Sequence, residues 1–308
     1  MQLKLSIVVC AYNEEKSIGP LLENLMKQDV PPEVVDREII VVASGCTDRT
    51  EKVVKEQAET NPKVTLISEQ ERSGKATALN KAFEVSSGDY IALVPADVLP
   101  AENALFNLLI PFRDCDVSAV SGRPMQNPWK VPKGFSGYLA NMTYRLWARL
   151  MAKLNDRGEM AHCSGEFMAI RSDVKTNIPC ESAADDSYIA IAAKRKGHIK
   201  FASEAICYNL MPSNVVDYIN QRRRWLYGHF QTKRITGEYP TVLDTVVLSR
   251  PGVALQVLAE EVTEQPKAAG YLAGAMLVEA IIYALSMFDR LLSRRYGVWP
   301  VIKSTKFT

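Results

Sequence analysis

"LSIVVCAYNEEKSIGPLLENLMKQ", residues 5–28, holds the decision about the fold. Its opening part, "LSIVVCA", is short, apolar and rich in β-branched residues, the pattern of a buried strand. The part that follows, "EEKSIGPLLENLMKQ", spaces its apolar residues for a helix. The same unit recurs. "EIIVVAS" (38–44) precedes "TDRTEKVVKEQAE" (47–59), "KVTLIS" (63–68) precedes "GKATALNKAFEVSS" (74–87), and "DYIALVPA" (89–96) adds a fourth strand-like run. This alternation predicts an α/β fold with a mostly parallel central sheet and flanking helices. Ligands of such sheets bind outside the carboxyl ends of the strands, so the loops after each strand are where chemistry is to be sought.

Those loops are polar. After the first strand comes "CAYNEE", where Asn13, Glu14 and Glu15 sit at a turn able to hold a base or ribose. After the second comes "ASGCTD", with Gly45 for a tight turn and Asp48 or Thr47 placed to cap the next helix. After the third, Gly74 and Lys75 open a helix and offer backbone donors and a cation to a phosphate or its sugar. After the fourth, Asp97 is a carboxylate suited to a divalent cation bridging two phosphates. Further on, Asp185 and Asp186 precede an amphipathic stretch, as helix caps or as a base for an acceptor hydroxyl.

Bulk properties bound the remaining choices. The 308 residues allow one large α/β domain with an appendage, and a formal net charge of +2 gives no global pull toward nucleic acid. Six scattered cysteines, without a CxxC pair, fit a reducing compartment better than a zinc site. The first apolar run is too short for a signal peptide, which places synthesis and catalysis on the cytosolic side.

Two helical stretches raise the question of a membrane. "SGYLANMTYRLWARLMAKLN" (136–155) carries Arg145, Arg149 and Lys153 on one stripe, which reads either as a helix in a lipid interface or as a solvated surface helix. "AAGYLAGAMLVEAIIYALSMF" (268–288) is long enough to cross a bilayer, but Glu279 near its middle is costly in lipid unless paired. Arg290, Arg294, Arg295, Lys303 and Lys306 make the following tail basic, which favours a re-entrant, interfacial or protein-packed helix over a clean span. Gly270 and Gly274 offer a GxxxG route to self-association.

"YINQRRRWLYGHFQ" (218–231) places Gln221, Arg224 and Trp225 within about one helical turn, so a guanidinium fork and an indole face converge. Nucleic-acid binding would spread basic and aromatic residues over a larger face. With this segment in place, the chain from about residue 5 to about 235 resembles a family 2 glycosyltransferase of the GT-A fold. "SIVVCAYNEEKSIGPLLENL" is similar to the opening strand and nucleotide-binding turn, "GKATALNKAF" to the donor-binding Gly-Lys segment, and "GDYIALVPADVLP" to the DxD strand. "GEFMAIRSDV" resembles the acceptor-side segment, and Gln221, Arg224 and Trp225 match the QxxRW motif of cellulose, chitin and hyaluronan synthases.

The resemblance implies a nucleotide-sugar donor, a uridine nucleotide first, held by Ala11, Tyr12, Asn13, Glu14, Ser44, Gly74, Lys75 and Asp97. It implies Mg2+ or Mn2+ at Asp97, and Glu166, Gln221, Arg224 and Trp225 around the diphosphate and acceptor. Asp186 falls at the position of the general base, with Asp185 next in line. The acceptor it implies is a saccharide or a lipid-linked sugar at the cytosolic membrane face, with no role for nucleic acid. Residues 1–235 form the transferase domain in this reading and 236–308 a helical, membrane-associated appendage. The chain departs from the family pattern at Ala43 and Ser44, where a pair of aspartates is usual, and at Pro95, which replaces the first aspartate of DxD. A histidine expected after the strand that follows the base is replaced in a region reading Cys207, Tyr208 and Asn209. These departures define the competing expectation, a catalytically retired nucleotide-binding module.

Overall fold

The computed structural model describes residues 2–266, 269–294, 296–298 and 300–306. The first half follows the sequence pattern: β1 (Leu3–Ala11), α1 (Ile18–Lys27), β2 (Val34–Ser44), α2 (Thr50–Thr60), β3 (Val64–Glu69), α3 (Lys75–Val85) and β4 (Tyr90–Leu93). Then come β5 (Leu99–Pro100), α4 (Ala104–Leu109), β6 (Val117–Gln126), α5 (Gly134–Asp156), β7 (Met168–Arg171), α6 (Asp185–Lys194) and β8 (His198–Asn209). Four helices follow: α7 (Val215–Thr236), α8 (Leu243–Ser249), α9 (Pro251–Glu264) and α10 (Ala269–Leu291).

The eight strands form one sheet in the order β3-β2-β1-β4-β7-β6-β8-β5. Pairings β1/β2, β1/β4, β2/β3 and β6/β8 are parallel, whereas β4/β7, β6/β7 and β5/β8 are antiparallel. The fold is the α/β class the sequence implies, with β7 inserted against the parallel direction. Alternate residues of β1 and β2 face opposite sides: Val8, Ile40 and Val42 pack toward α3 and α5, while Ile7, Val9, Ile39 and Val41 pack toward α1 and α4. Both faces are therefore buried, as a parallel sheet requires. Gly122 in β6 is obligatory, because a Cβ there would lie 2.4 Å from the Phe167 ring and 2.8 Å from the Ala205 carbonyl.

The basic stripe of α5 is neither solvated nor turned to lipid. Arg145 and Arg149 both grip Glu261 of α9, each at 2.5 Å, Arg149 also reaches Glu264 at 2.6 Å, and Lys153 takes Glu260 at 2.6 Å. α10 lies against α7, where Glu279 meets Arg222 (3.0 Å) and the Tyr218 hydroxyl (3.0 Å), and Asp289 meets Arg223. The charge that is expensive in lipid is thus paired within the protein. The long apolar helix is of the protein-packed kind on this side. Residue 235 falls at the end of α7, but the core is continuous across it: Val246, Val257 and Ile282 share one cluster with Val8 and Leu139. Arg295 of the basic tail lies outside the described residues.

Glu279→Ala is expected to destabilise the fold by about 2 kcal/mol, the cost of a buried guanidinium that loses one of two carboxylate partners. Asp244, 2.8 Å from Arg222, supplies the other and limits the loss. Urea denaturation of the variant checks this.

Candidate active site

The carboxyl ends of β1, β2 and β4 open into a cavity of about 190 Å³. Ala11, Tyr12 and Glu14 enter it from β1 and its loop, Ser44 from β2, and Gly74 and Lys75 from the start of α3. Asp97 enters after β4, and Gln221 and Arg224 from α7. A larger cavity of about 280 Å³ lies at the opposite strand ends, where its charged residues, Glu33 and Arg113, pair with each other at 2.7 Å. The convergence of unlike polar groups is at the carboxyl ends.

Local structure explains each position. Asn13 takes a left-handed backbone (φ 52°), and its side chain exchanges hydrogen bonds with Thr47, accepting from N (2.8 Å) and donating to Oγ1 (3.0 Å). It braces the loop and is not on the cavity wall. Asp48 accepts from the Thr50 N–H (2.9 Å) and from the Glu15 N–H (3.1 Å), so it ties two strand-end loops together, while the N-cap position of α2 falls to Arg49, without a side-chain cap. Gly74 has φ 92°, and a Cβ there would lie 2.2 Å from the Gly297 carbonyl oxygen. After β4 the chain keeps bonding to β1, with Ala96 donating to the Cys10 carbonyl at 3.3 Å, which fixes Asp97 at the cavity mouth. α7 is bounded by Asn214, whose side chain accepts from the Asp217 N–H, and by Gly237 at φ 84°.

Behind this wall lies the acidic pair. Lys75 Nζ sits 2.9 Å from Asp185 Oδ2 and 3.2 Å from the Gly165 carbonyl. Asp186 accepts the Ser187 N–H at 2.6 Å and the Gly165 N–H at 3.0 Å. Burial raises both carboxyl pKa values, and the outcomes differ. For Asp186 the Lys75 ammonium and the Ser187 N–H outweigh burial and hold it below the usual carboxylate range. For Asp185 burial prevails over Lys75 and pushes it up. Two adjacent carboxyls held apart in this way suit a division of labour. Burial also lowers Arg224, to about 10, which leaves it a cation at neutral pH.

Glu166 is a further displaced carboxyl near the site. Burial raises it to about 7, against hydrogen bonds from the Tyr144 hydroxyl (3.0 Å) and the Asn209 amide (2.7 Å). Asn209 thus occupies a region where the family pattern leads one to expect a histidine, and it serves Glu166. A carboxyl raised above its unfolded value stabilises the fold below that value and loses the contribution as pH climbs through the folded one. Stability is therefore expected to fall by about 3 kcal/mol between roughly pH 4.5 and 7, and Glu166→Gln to flatten that slope. Urea titrations across this range read it directly.

The surroundings of Asp97 suit a metal ligand. Its carboxylate accepts no side-chain hydrogen bond from the described residues, faces the cavity, and is raised by burial against the pull of Lys75 and Arg224. An oxygen donor left unneutralised at a cavity mouth fits a divalent cation completed by phosphate and water. The buried amide oxygen of Gln221 likewise has no hydrogen-bond partner among the described residues. Trp225 is half-buried against the core, with Arg222 5.7 Å from its ring centre, and does not line the cavity.

Sequence reasoning missed several participants. Arg72 stacks on the Tyr12 ring at 3.9 Å, forming a flat cationic lid over that ring. The segment after α10 returns to the cavity, where Val301, Ile302 and Thr305 form a wall and Lys306 bonds Glu14 and the Tyr12 carbonyl (3.3 Å). Burial brings Lys306 down to about 8. No local pattern signals these contacts, because Arg72 and Tyr12 follow different strands and Lys306 lies nearly the whole chain from Glu14.

Comparison with known proteins identifies the family and the fold. The family model described as Glycosyl transferase family 2 matches residues 6–176, and that described as Glycosyl transferase family group 2 matches 125–296. The poly-beta-1,6-N-acetyl-D-glucosamine synthase of Staphylococcus aureus (strain COL) is 24% identical over 233 residues, covering 73% of this chain and 54% of the synthase. The synthase of the same description from Staphylococcus epidermidis is 23% identical over 237 residues, with the same coverage. The chain thus spans about half the length of the curated relatives it matches. Among solved structures, the mannosyltransferase PcManGT from Pyrobaculum calidifontis, in complex with GDP-Man and Mn2+, superposes with a TM-score of 0.66 over 96% of this chain and 89% of that one, at 23% identity. That likeness establishes the GT-A glycosyltransferase fold.

Proposed function

Since the chain belongs to glycosyl transferase family 2, we propose that it is an inverting glycosyltransferase. In this reading it moves a sugar from a nucleotide-sugar donor to a hydroxyl of a saccharide or lipid-linked acceptor, at the cytosolic face of a membrane. The observation that carries the proposal is the convergence of Lys75, Asp97, Gln221 and Arg224 on one cavity, with Asp185 and Asp186 directly behind Lys75.

The residues divide the work as follows from their charges. Asp186, ionised at neutral pH, accepts the proton of the acceptor hydroxyl, whose oxygen attacks the anomeric carbon as the bond to the diphosphate breaks. Arg224 and Lys75 meet the charge that grows on the leaving diphosphate. Asp97 would hold Mg2+ or Mn2+, which neutralises diphosphate charge when bound. Gly165 positions the base through its N–H, and a Cβ there would lie 2.8 Å from Asp186 Oδ2. Tyr12 with Arg72 offers a stacking surface for the base of the nucleotide. Ala43 removes a carboxylate at the usual uracil-reading position, so guanosine donors belong beside uridine ones in any screen. The Mn2+ and GDP-Man of PcManGT point to the same panel.

Transfer is tested by incubating the protein with nucleotide sugars and short saccharide acceptors and following the anomeric proton by NMR. A product of opposite anomeric configuration to the donor is expected. Retained configuration would overturn the single-displacement mechanism.

A further inference from the structure

We infer that α10 lies flat on an anionic lipid bilayer, with its outer face and the loop before α5 in contact with lipid, and that it does not cross the membrane. This deepens the membrane-face reading above and can fail without it. The helix is long and apolar enough to span by composition alone, with a mean hydropathy of 1.7 over its most apolar 18 residues. Its packing argues otherwise. Ala275, Val278, Ile282, Ser286 and Asp289 form a buried stripe, and both acidic residues, Glu279 and Asp289, are turned to Arg222 and Arg223 of α7. A spanning helix would have to leave α7, stripping Arg223 of Asp289 and Arg222 of one of its two carboxylate partners, and taking two carboxylates into hydrocarbon.

The outward side is the reverse of a water-facing helix. From Gly270 to Phe288, every exposed residue is glycine, alanine, tyrosine or a large apolar side chain, including Met276 at 63% and Leu277 at 64% exposure. An apolar strip of this length facing solvent marks an interaction surface. Cations stand at both of its ends. Arg290 and Arg294 are exposed at the carboxyl end, where Arg294 also pairs with Asp289 at 3.1 Å. At the other end Phe135 packs on Gly274 and Tyr271, and the adjoining loop exposes Trp129, Lys130, Val131 and Lys133. Apolar strip, flanking indole and cationic ends together match the headgroup boundary of an anionic bilayer. A second copy fits poorly, because pairing like faces brings cations against cations in either helix direction. Gly274 of the GxxxG pair is already occupied by Phe135 of the same chain.

The test is flotation of the whole chain with vesicles of phosphatidylcholine alone or mixed with phosphatidylglycerol, followed by an alkaline carbonate wash. Flotation with the anionic vesicles, weaker flotation with the neutral ones and release by carbonate are expected. The double substitution Met276→Glu, Ile281→Glu should cut the bound fraction about tenfold or more, while Val35→Glu, on an exposed position of β2, should not. Nucleotide-sugar binding by calorimetry on the same preparations reports folding of the variants and the transferase reading separately. Retention after carbonate would show a spanning helix and overturn the inference. Absence of flotation would overturn it too, and a dimer abolished by the double substitution would then identify a second copy as the occupant.

Discussion

Asp186→Asn is expected to lower turnover by about 10²- to 10⁴-fold, the usual contribution of a positioned general base, with nucleotide-sugar affinity unchanged. The reason lies in the contrast between the paired carboxyls. Asp186 is kept ionised by Lys75 and the Ser187 N–H in spite of its burial, whereas Asp185 is engaged by Lys75 at 2.9 Å. The donor cavity touches neither carboxylate directly, so binding of the nucleotide should survive the change. Single-turnover kinetics with calorimetry on the same variant separates the two effects. Near-normal turnover in Asp186→Asn, with loss in Asp185→Asn, would transfer the role to the neighbour.

The second large effect is expected at Asp97. Asp97→Ala should abolish the metal-dependent part of donor binding and lower turnover about 10²-fold or more, since the loss removes the sole carboxylate at the place of a usual pair. Pro95 stands where the other would be and lacks even a backbone N–H. Asp97→Glu, which keeps the carboxylate, should restore part of the metal dependence. Titrating donor with and without EDTA reads both variants. Equal donor affinity in Asp97→Ala and the unmodified protein, with metal present, would remove Asp97 from the metal-holding role.

How much of this was legible in the sequence follows from where each signal is encoded. β1 to β4 and their helices were readable because period and β-branching are local properties. β6 was hidden: Gly122 and Pro124 interrupt its run, although Gly122 is there for close packing on Phe167 and not for a turn. The site was legible where a motif fixes several residues together, as at Gln221, Arg224 and the Gly74–Lys75 turn. Trp225 matched its motif and yet packs against the core. The charge stripe of α5 was visible, but its meaning was not, because Glu260, Glu261 and Glu264 lie more than a hundred residues away. The same applies to Arg222 with Glu279, and to Lys306 with Glu14. Long-range pairing of charges has no sequence period and becomes readable only once the helices are docked.

The most direct test of the central claim is calorimetric titration of UDP-, GDP- and dTDP-sugars into the protein with Mg2+ or Mn2+, repeated with EDTA. Saturable binding of a nucleotide sugar that EDTA abolishes or sharply weakens is the predicted result. Absence of binding by every donor, with and without metal, would contradict the account and favour a retired module.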